Sequence, residues 1–356
     1  MLFLNLQIQY QVYHHIKKFD LNINIIMKIK TQYAPVVLLA LDRFNHFKAC
    51  LESLEKCTWA ENTDVYVALD YPPSSKYRAG WLKLCKYLEK KEVCNLFKKL
   101  IVVKRDRNYG LGYSGSNFEA ILSDLQHKYD RYICLEDDNI LSPNYLVYMN
   151  KGLEKFKDDD RISFVCGYNY PMEFPESYKN NFYISKHISS WGYGTWFSKE
   201  EPIKKYYDLD FLKGLLRDKE SFKKLMKYKT STVYSIINML KNNIVYGDSS
   251  IGAYLCLEDK YCIFPTISKV KNIGSDGTGA NAKSKYDKQT NYYLTQLIDK
   301  EHKFEFSDDI FTYEPETLNR YSSPKPIIKE LYKGLIGRID LFLFRHFNFV
   351  PKSKYI

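Results

Sequence analysis

Arg131-Tyr-Ile-Cys-Leu-Glu-Asp-Asp-Asn139 is the stretch on which the fold of this chain turns. The apolar run Tyr132–Leu135 has the length of a buried strand, and it ends abruptly in Glu136, Asp137 and Asp138. A buried strand cannot carry three adjacent carboxylates unless they emerge at its end. In open α/β sheets that end is where ligands bind. Three carboxylates so close repel one another and favour a hard divalent cation. Mg²⁺ and Mn²⁺ take oxygen ligands and are often shared with substrate phosphates. For an isolated triplet of this kind, a solvated acidic turn after an edge strand is the alternative. Ser142-Pro143 then opens an amphipathic helix.

Upstream of this stretch, apolar runs alternate with helical spacing. Val36–Leu41, Val65–Leu69 and Leu100–Val103 are near-continuous apolar runs, the pattern of parallel strands buried on both faces. Between them Phe47, Leu51 and Leu54 recur at helical spacing, as do Trp81, Leu84, Cys85 and Leu88. Ser116-Asn-Phe-Glu119 is a capping box that opens a helix through Ile121, Leu122 and Leu125. Ile162–Cys166 is a fifth strand. The alternation predicts an α/β fold, a mostly parallel central sheet flanked by helices. After about residue 170 the pattern becomes irregular. Short strand-like pieces, Phe182–Ile184 and Thr195–Phe197, flank a Gly/aromatic segment, and Lys-rich helices follow over roughly 201–242.

Four loops fall on one edge of such a sheet. Asp42 and Arg43 follow the first strand, and Asp70 closes the second. Arg105-Asp-Arg-Asn-Tyr-Gly-Leu-Gly112 follows the third, with Arg107, Asn108, Gly110 and Gly112 in the loop, and the acidic triplet follows the fourth. An acidic residue after an early strand can accept bonds from a nucleobase or ribose. Arginine and the backbone N–H groups of a glycine-rich turn can meet phosphate. Gly110-Leu-Gly112 alone is equally a turn and helix cap. The order of the four loops is what carries the argument.

In that order, Ala40-Leu-Asp-Arg43, Ala68-Leu-Asp70, Asn108-Tyr-Gly-Leu-Gly112 and Leu135-Glu-Asp-Asp138, the chain resembles the nucleotide-sugar-dependent glycosyltransferases of GT-A (Rossmann-like) fold. It looks most like the N-acetylglucosaminyltransferase I group, whose DxD equivalent is also Glu-Asp-Asp. It is similar as well to bacterial family-2-type sugar transferases, which share the Asn-x-Gly-x-Gly loop. The resemblance is good from about 35 to 170 and looser to about 280. It implies that Asp70 holds the uracil or ribose end of a donor, probed best as a UDP-sugar. It also implies that Arg43 lies at the nucleotide end, that Asp137 sits near the ribose and that Asp138 ligates Mn²⁺ or Mg²⁺, with Asp42 and Glu136 among the donor-binding residues.

An acceptor side is also needed. Ser189-Ser-Trp-Gly-Tyr-Gly-Thr-Trp196 offers Trp191, Tyr193 and Trp196 to stack on sugar C–H surfaces, while Gly192 lets the backbone approach. A packed β-turn with core tryptophans is the competing expectation. An inverting enzyme further needs a carboxylate base for the acceptor hydroxyl. Asp248, in Tyr246-Gly-Asp-Ser-Ser250, stands where the related enzymes carry theirs, with plain N-capping of the helix that follows as its alternative. Asn272-Ile-Gly-Ser-Asp-Gly-Thr-Gly279 resembles the segment that closes over the diphosphate in some bacterial relatives. Some of those place a His just after it. Here Ala280-Asn281-Ala282 follows, so His187 is the nearest alternative, and a structural role suits it better.

The ends of the chain differ in kind. Met27-Lys-Ile-Lys looks like an ordinary bacterial start, so residues 1–26 are expected to be an upstream extension or a disordered arm. No stretch reaches the roughly 18 apolar residues of a membrane span. At the other end, Ile328, Leu331, Leu335, Ile339, Phe342 and Leu343 form a helical apolar stripe. Seven basic side chains against two acidic ones from Lys325 onward suit an anionic bilayer surface, with docking on the catalytic domain as the alternative. The predicted organisation is thus an N-terminal extension (1–33), a nucleotide-sugar-binding half (34–170) and an acceptor-side half (171–285). A polar loop segment (286–325) and a basic amphipathic tail (326–356) complete it.

The net charge of +11 fits an anionic ligand or surface. Nucleic acid is not expected, because the chain has no zinc-finger spacing, basic zipper or aromatic RNA-binding signature. The eight cysteines form no CxxC pair, which argues against a zinc site and for reduced cytosolic thiols. Together these features predict a metal-dependent, inverting glycosyltransferase. Its acceptor would be a glycan or lipid-linked sugar of surface polysaccharide, met at the inner face of the cytoplasmic membrane. A sugar-phosphate nucleotidyltransferase is the rival, but it wants glycines and a lysine after the first strand, where Asp42-Arg43-Phe44-Asn45 has none. A non-catalytic carbohydrate-binding protein would tolerate loss of the acidic triplet.

Overall fold

The computed structural model describes residues 33–110, 115–172, 174–279, 296–308 and 327–347. The expected N-terminal arm, Gly112 and most of the polar segment lie outside these residues. In chain order the strands are β1 (Val36–Ala40), β2 (Asp64–Leu69), β3 (Lys99–Lys104), β4 (Arg131–Leu135), β5 (Asn139–Leu141), β6 (Ile162–Cys166), β7 (Phe182–Ser185), β8 (Tyr193–Trp196), β9 (Tyr261–Pro265) and β10 (Val270–Asn272). The helices are α1 (Phe44–Glu55), α2 (Ser75–Val93), α3 (Asn117–Leu125), α4 (Tyr145–Lys155), α5 (Phe197–Glu200), α6 (Leu209–Arg217), α7 (Lys219–Tyr228), α8 (Thr230–Asn242), α9 (Gly247–Leu257) and α10 (Ile327–Phe347).

Eight strands form one sheet in the order β3-β2-β1-β4-β8-β6-β9-β7. The pairs β3–β2, β2–β1, β1–β4 and β6–β9 are parallel, and only β8 and β7 run against the rest. This is the mostly parallel, helix-flanked sheet expected from the sequence. Residues along each strand alternate between two cores. Val36, Leu38, Val65, Val67 and Ile133 face α1, α2 and α4. Val37, Tyr66, Ala68, Tyr132 and Cys134 face α3 and the helices after residue 197. Period-two alternation with both faces apolar is what a sheet sandwiched between helix layers requires.

Three details depart from expectation. Strand β8 starts at Tyr193 rather than Thr195 and stops at Trp196, because helix α5 begins at Phe197. Strand β9 went unanticipated; its five residues end in Pro265, a weak local signal beside the partner strand β6 that selects it. The polar segment is not wholly loose either. Phe304 is buried, edge-on to Tyr148 at 5.0 Å, and Asn144 Nδ2 donates to Asp299 at 3.0 Å. The capping box of α3 forms with a shift: Ser116 Oγ accepts from the Glu119 N–H at 3.2 Å, while the Glu119 carboxylate reaches the Gly115 N–H at 2.5 Å. All eight cysteines are free, and only Cys94 is exposed.

The tail helix α10 docks on the helical layer. Leu341 and Phe344 are buried in the second core, and Gly337 lies against the Tyr234 ring, where an added Cβ would come within 2.8 Å. Asp340, itself buried, pairs with Lys241 at 2.6 Å. Of the two expectations for this helix, docking therefore holds for one face at least. Removing one partner of a buried pair strands the other charge, at a cost of about 3–5 kcal/mol. Asp340→Ala should lower stability by that order in urea denaturation, and Asp340→Ala with Lys241→Met should recover much of it.

Candidate active site

The four parallel strands β3, β2, β1 and β4 all end on one sheet edge, so their following loops converge there. The centre of that edge is a guanidinium. Arg43, at the N-terminus of α1, donates from Nε to Asp137 Oδ2 at 3.1 Å and from Nη2 to Asp137 Oδ1. The same Nη2 lies 2.8 Å from Asp138 Oδ2. Burial works against the charge on Arg43, but Asp137 and Asp138 outweigh it and hold the pKa above its ordinary value. Burial lifts Asp137 to about 6, against the opposing pull of Arg43. Glu136 is pushed well above the usual carboxylate range by burial first, and then by the charges of Asp138, Asp248 and Asp137. Glu136, Asp137 and Asp138 thus crowd around one half-buried arginine.

Asp70 has a different part from the one expected. It is buried, and its Oδ1 accepts the N–H groups of Tyr71 and Tyr109, both at 2.9 Å. Its Oδ2 accepts from Asn108 Nδ2 at 3.0 Å and from the Gly110 N–H at 2.9 Å. A carboxylate offers about four lone-pair positions, and all are taken by its own loops. Asp70 therefore shapes the 108–110 turn rather than offering a free acceptor to a base or ribose. Asn108 completes the clamp by donating to the Tyr71 carbonyl at 2.6 Å. Gly110 has φ +76°, which a side chain resists. Arg107 is exposed beside this turn, 5.3 Å from the Tyr109 ring. Asp42 lies half-buried at the same edge. Burial raises its pKa against the pull of Arg43 and Lys76.

The other wall comes from far along the chain. Antiparallel pairing of β10 with β5 sets Asn272 opposite Asn139. Asn272 Nδ2 then donates to Asp138 Oδ1 at 2.7 Å, and the Ile273 N–H donates to the Asp138 carbonyl at 2.9 Å. Gly274 sits so close that an added Cβ would meet Asp138 Oδ2 at 2.0 Å. Beyond it Asp276 reaches His46 of α1 at 3.2 Å. The glycine-rich segment thus packs directly on the acidic triplet. Asn272 as a partner of Asp138, and His46, have no signal in the local sequence, because a strand pairing across more than a hundred residues creates them.

The acceptor-side residues divide. Strand β8 runs against β4, pairing Tyr193 with Cys134 and Trp196 with Arg131. Trp191 and Gly192 therefore reach the ligand edge. Trp191 is half-buried, edge-on to Tyr168 at 4.7 Å. Gly192, at φ +70°, accepts from the Gly167 N–H at 2.7 Å. Trp196 is carried to the opposite end of the sheet, buried, with Lys199 Nζ 4.1 Å from its ring. Tyr193 is buried in the second core beside Phe164. The expectation that both rings meet acceptor fails for this reason: strand direction and strand face put them in the core.

Asp248 lies in the first turn of α9, whose cap residue is Tyr246, and it makes no side-chain cap bond. The plain-capping alternative is thus not what the side chain does. Ser190 Oγ lies 3.5 Å from Asp248 Oδ2. The residue is open to solvent, yet enough protein surrounds it for burial to raise its pKa, with the Ser190 bond pulling the other way. His187 Nδ1 lies 3.1 Å from Lys229 Nζ, and burial followed by that charge lowers its pKa to about 3.

The donor chemistry fits a hard divalent cation. The edge carries oxygen ligands in excess of positive charge, and Mg²⁺-type sites commonly use one or two carboxylates with substrate phosphate. Among the described residues no three His, Cys, Asp or Glu side chains group into a closed metal cage. Asp138, with Glu136 or Asp137 beside it, would hold the ion once Arg43 gives up Asp138 Oδ2.

No protein-family model matches the sequence, and no curated protein matches it. Among solved structures, S. aureus TarS is 16% identical with a TM-score of 0.28, over 40% of this chain and 23% of that one. TarS 1–349 in complex with UDP is 14% identical with a TM-score of 0.31, over 51% and 55%. The mannosyltransferase PcManGT from Pyrobaculum calidifontis, in complex with GDP-Man and Mn²⁺, is 11% identical with a TM-score of 0.31, over 54% and 56%. The chain spans less than two thirds of the length of each of these. Overlap of that extent leaves the activity to be read from the residues themselves.

The buried Lys229 yields a pH signature. Burial lowers its pKa to about 8 from the ordinary 10.5. Below about 8 it is charged in both folded and unfolded chains, and its burial cost is carried in full. Between about 8 and 10.5 the folded chain sheds a proton that the unfolded chain keeps, so this site's contribution to stability rises with pH. Lys229→Met should therefore gain most over the parent protein at neutral pH. That advantage should shrink as pH rises from 8 to 10, as followed by urea denaturation.

Proposed function

We propose that the protein transfers a sugar from a nucleotide-sugar donor, a UDP-sugar, to a hydroxyl of a glycan or lipid-linked acceptor, with inversion at the anomeric carbon. The observation that carries this reading is the convergence of the Arg43–Asp137–Asp138 cluster and Asp248 on one sheet edge. Glu136 feels the charges of both. Donor-holding and proton-accepting groups must stand on opposite sides of one reacting carbon, and this edge provides both.

Arg43 and the exposed Arg107 offer positive charge to the donor diphosphate, and Asp70 fixes the shape of the turn beside them. Asp137, held by Arg43 from two sides, is placed for the ribose. A bound divalent cation would supply charge neutralisation to the departing nucleoside diphosphate. The Asn272–Gly274 segment backs Asp138 and excludes water from that side. Trp191 presents a ring to the acceptor sugar at the cleft wall. Asp248 then takes the proton of the acceptor hydroxyl as its oxygen attacks the anomeric carbon. A carboxylate with a raised pKa is a stronger base than one at its ordinary value, and Ser190 orients it.

Two substitutions separate donor binding from chemistry. Asp138→Ala should abolish Mn²⁺-dependent UDP binding in calorimetry. Unchanged affinity would remove Asp138 from the donor site. Asp248→Asn should leave UDP affinity intact and lower turnover by about 10²–10⁴-fold, the range for loss of a general base. Near-normal turnover would move the base to another acid. The donor itself can be found by thermal shift across nucleotide sugars with and without Mn²⁺, since a ligand at about 100 times its Kd adds about 2.7 kcal/mol.

A further inference from the structure

Docking accounts for only one face of α10. The opposite face carries Leu335, Ile339 and Phe342, between half and three-fifths exposed, at the i, i+4, i+7 spacing of one helical stripe. Arg338 and Arg345 border that stripe, both exposed. Arg345 stacks over Phe222 of the neighbouring helix α7 at 3.8 Å, so the two helices share one surface. Helix α7 also carries Lys219, Lys223 and Lys227, an exposed row at i, i+4, i+8, of which Lys223 and Lys227 border a second hollow with Tyr206 and Leu257. Among the described residues none of these five cations has a carboxylate within ion-pair distance. Between α10 and the helices α7 and α8 lies a hollow of about 350 Å³. Met226, Tyr234, Leu341 and Phe342 line it, and Arg338 and Arg345 contribute charge.

We infer that this face, formed by α10 and α7 together, is a binding surface for an anionic lipid bilayer. The apolar stripe enters the headgroup boundary, the two arginines and the lysine row meet anionic headgroups, and the docked face of α10 fixes the catalytic domain against the surface. Charge decides the occupant. Over residues 209–230 and 335–347 nine basic side chains stand against four acidic ones; one on each side, Lys229 and Asp340, is buried, and Lys224 is paired with Asp259. A stripe meant for a second copy of the chain would set like charges against each other. No described helix is long and apolar enough to cross a membrane, so the surface lies on the bilayer. This inference goes beyond the proposed activity and does not depend on it.

The test is co-sedimentation of the full-length protein with vesicles of phosphatidylcholine, alone or with one-third phosphatidylglycerol. The protein should sediment with the anionic vesicles and not the neutral ones, and release as salt is raised. Lys223→Gln with Lys227→Gln should weaken binding about fivefold per lost charge. Ile339→Asn with Phe342→Ser should weaken it by at least about tenfold. Both should leave the thermal unfolding midpoint unchanged, because all four side chains are exposed. The lysine variant keeps the test decisive if the apolar one fails to fold. Failure of the parent protein to bind anionic vesicles at low salt would overturn the inference, as would undiminished binding by both variants. A dimer of the parent that the Ile339→Asn, Phe342→Ser variant dissolves would assign the stripe to a second copy instead. Loss of vesicle binding is read without any turnover, so it is distinguishable from failure of the proposed activity.

Discussion

The Arg43 guanidinium is the constraint around which this edge is built. Three carboxylates in a row cannot sit at the end of a buried strand without a counter-charge. Arg43 supplies it, from 94 residues upstream, by forking across Asp137 and touching Asp138. That pairing ties the start of α1 to the end of β4 across the parallel pair β1–β4. One cation does not neutralise Glu136, Asp137, Asp138 and Asp248 together. The remaining negative charge shows as raised pKa values at Glu136, Asp137 and Asp248, all led by burial. Such an edge is unfavourable in isolation and favourable toward a cation or a proton donor.

Around that centre the structure uses buried polar groups to hold loops. Asp70 spends its acceptor positions on Tyr71, Asn108, Tyr109 and Gly110, so residues 108–110 after β3 are held in place by it. Asn272 does the same for Asp138 on the other wall. Loops already held in shape need little rearrangement when a ligand binds beside them. The close approach at Gly274 and the packing of Gly80, whose added Cβ would meet the Asp42 carbonyl at 2.1 Å, show how little space separates these loops.

The two reversed strands decide what else reaches the edge. Because β8 runs against β4, it delivers Trp191 and Gly192 to the ligand side and sends Trp196 to the far end. Had β8 been parallel, the two tryptophans would have exchanged places. Ser190, just before this strand, then stands beside Asp248 at the start of α9, joining the acceptor loop to the candidate base.

How much of this was legible depended on range. Continuous apolar runs ending in polar residues determined β1 to β4, and their order alone brought Asp42, Asp70, the 105–110 loop and Glu136–Asp138 to one edge. A strand buried on both faces can place charge nowhere else. Helical spacing determined that Trp81, Leu84, Cys85 and Leu88 are the buried face of α2, as they are. What the tertiary structure decided were the pairings made across long separations: β5 with β10, β6 with β9, α10 with α8. These set Asn272 against Asp138 and divided the tail helix into a docked face and an outward one, while the β2–β3 pairing turned the Asp70 carboxylate to its own loops. Periodicity reports that a side chain wants burial; only the packed neighbours determine which partner buries it. Residues whose roles follow from a neighbour distant in sequence, such as Trp196, Asn272 and Phe344, therefore acquire them only in the fold.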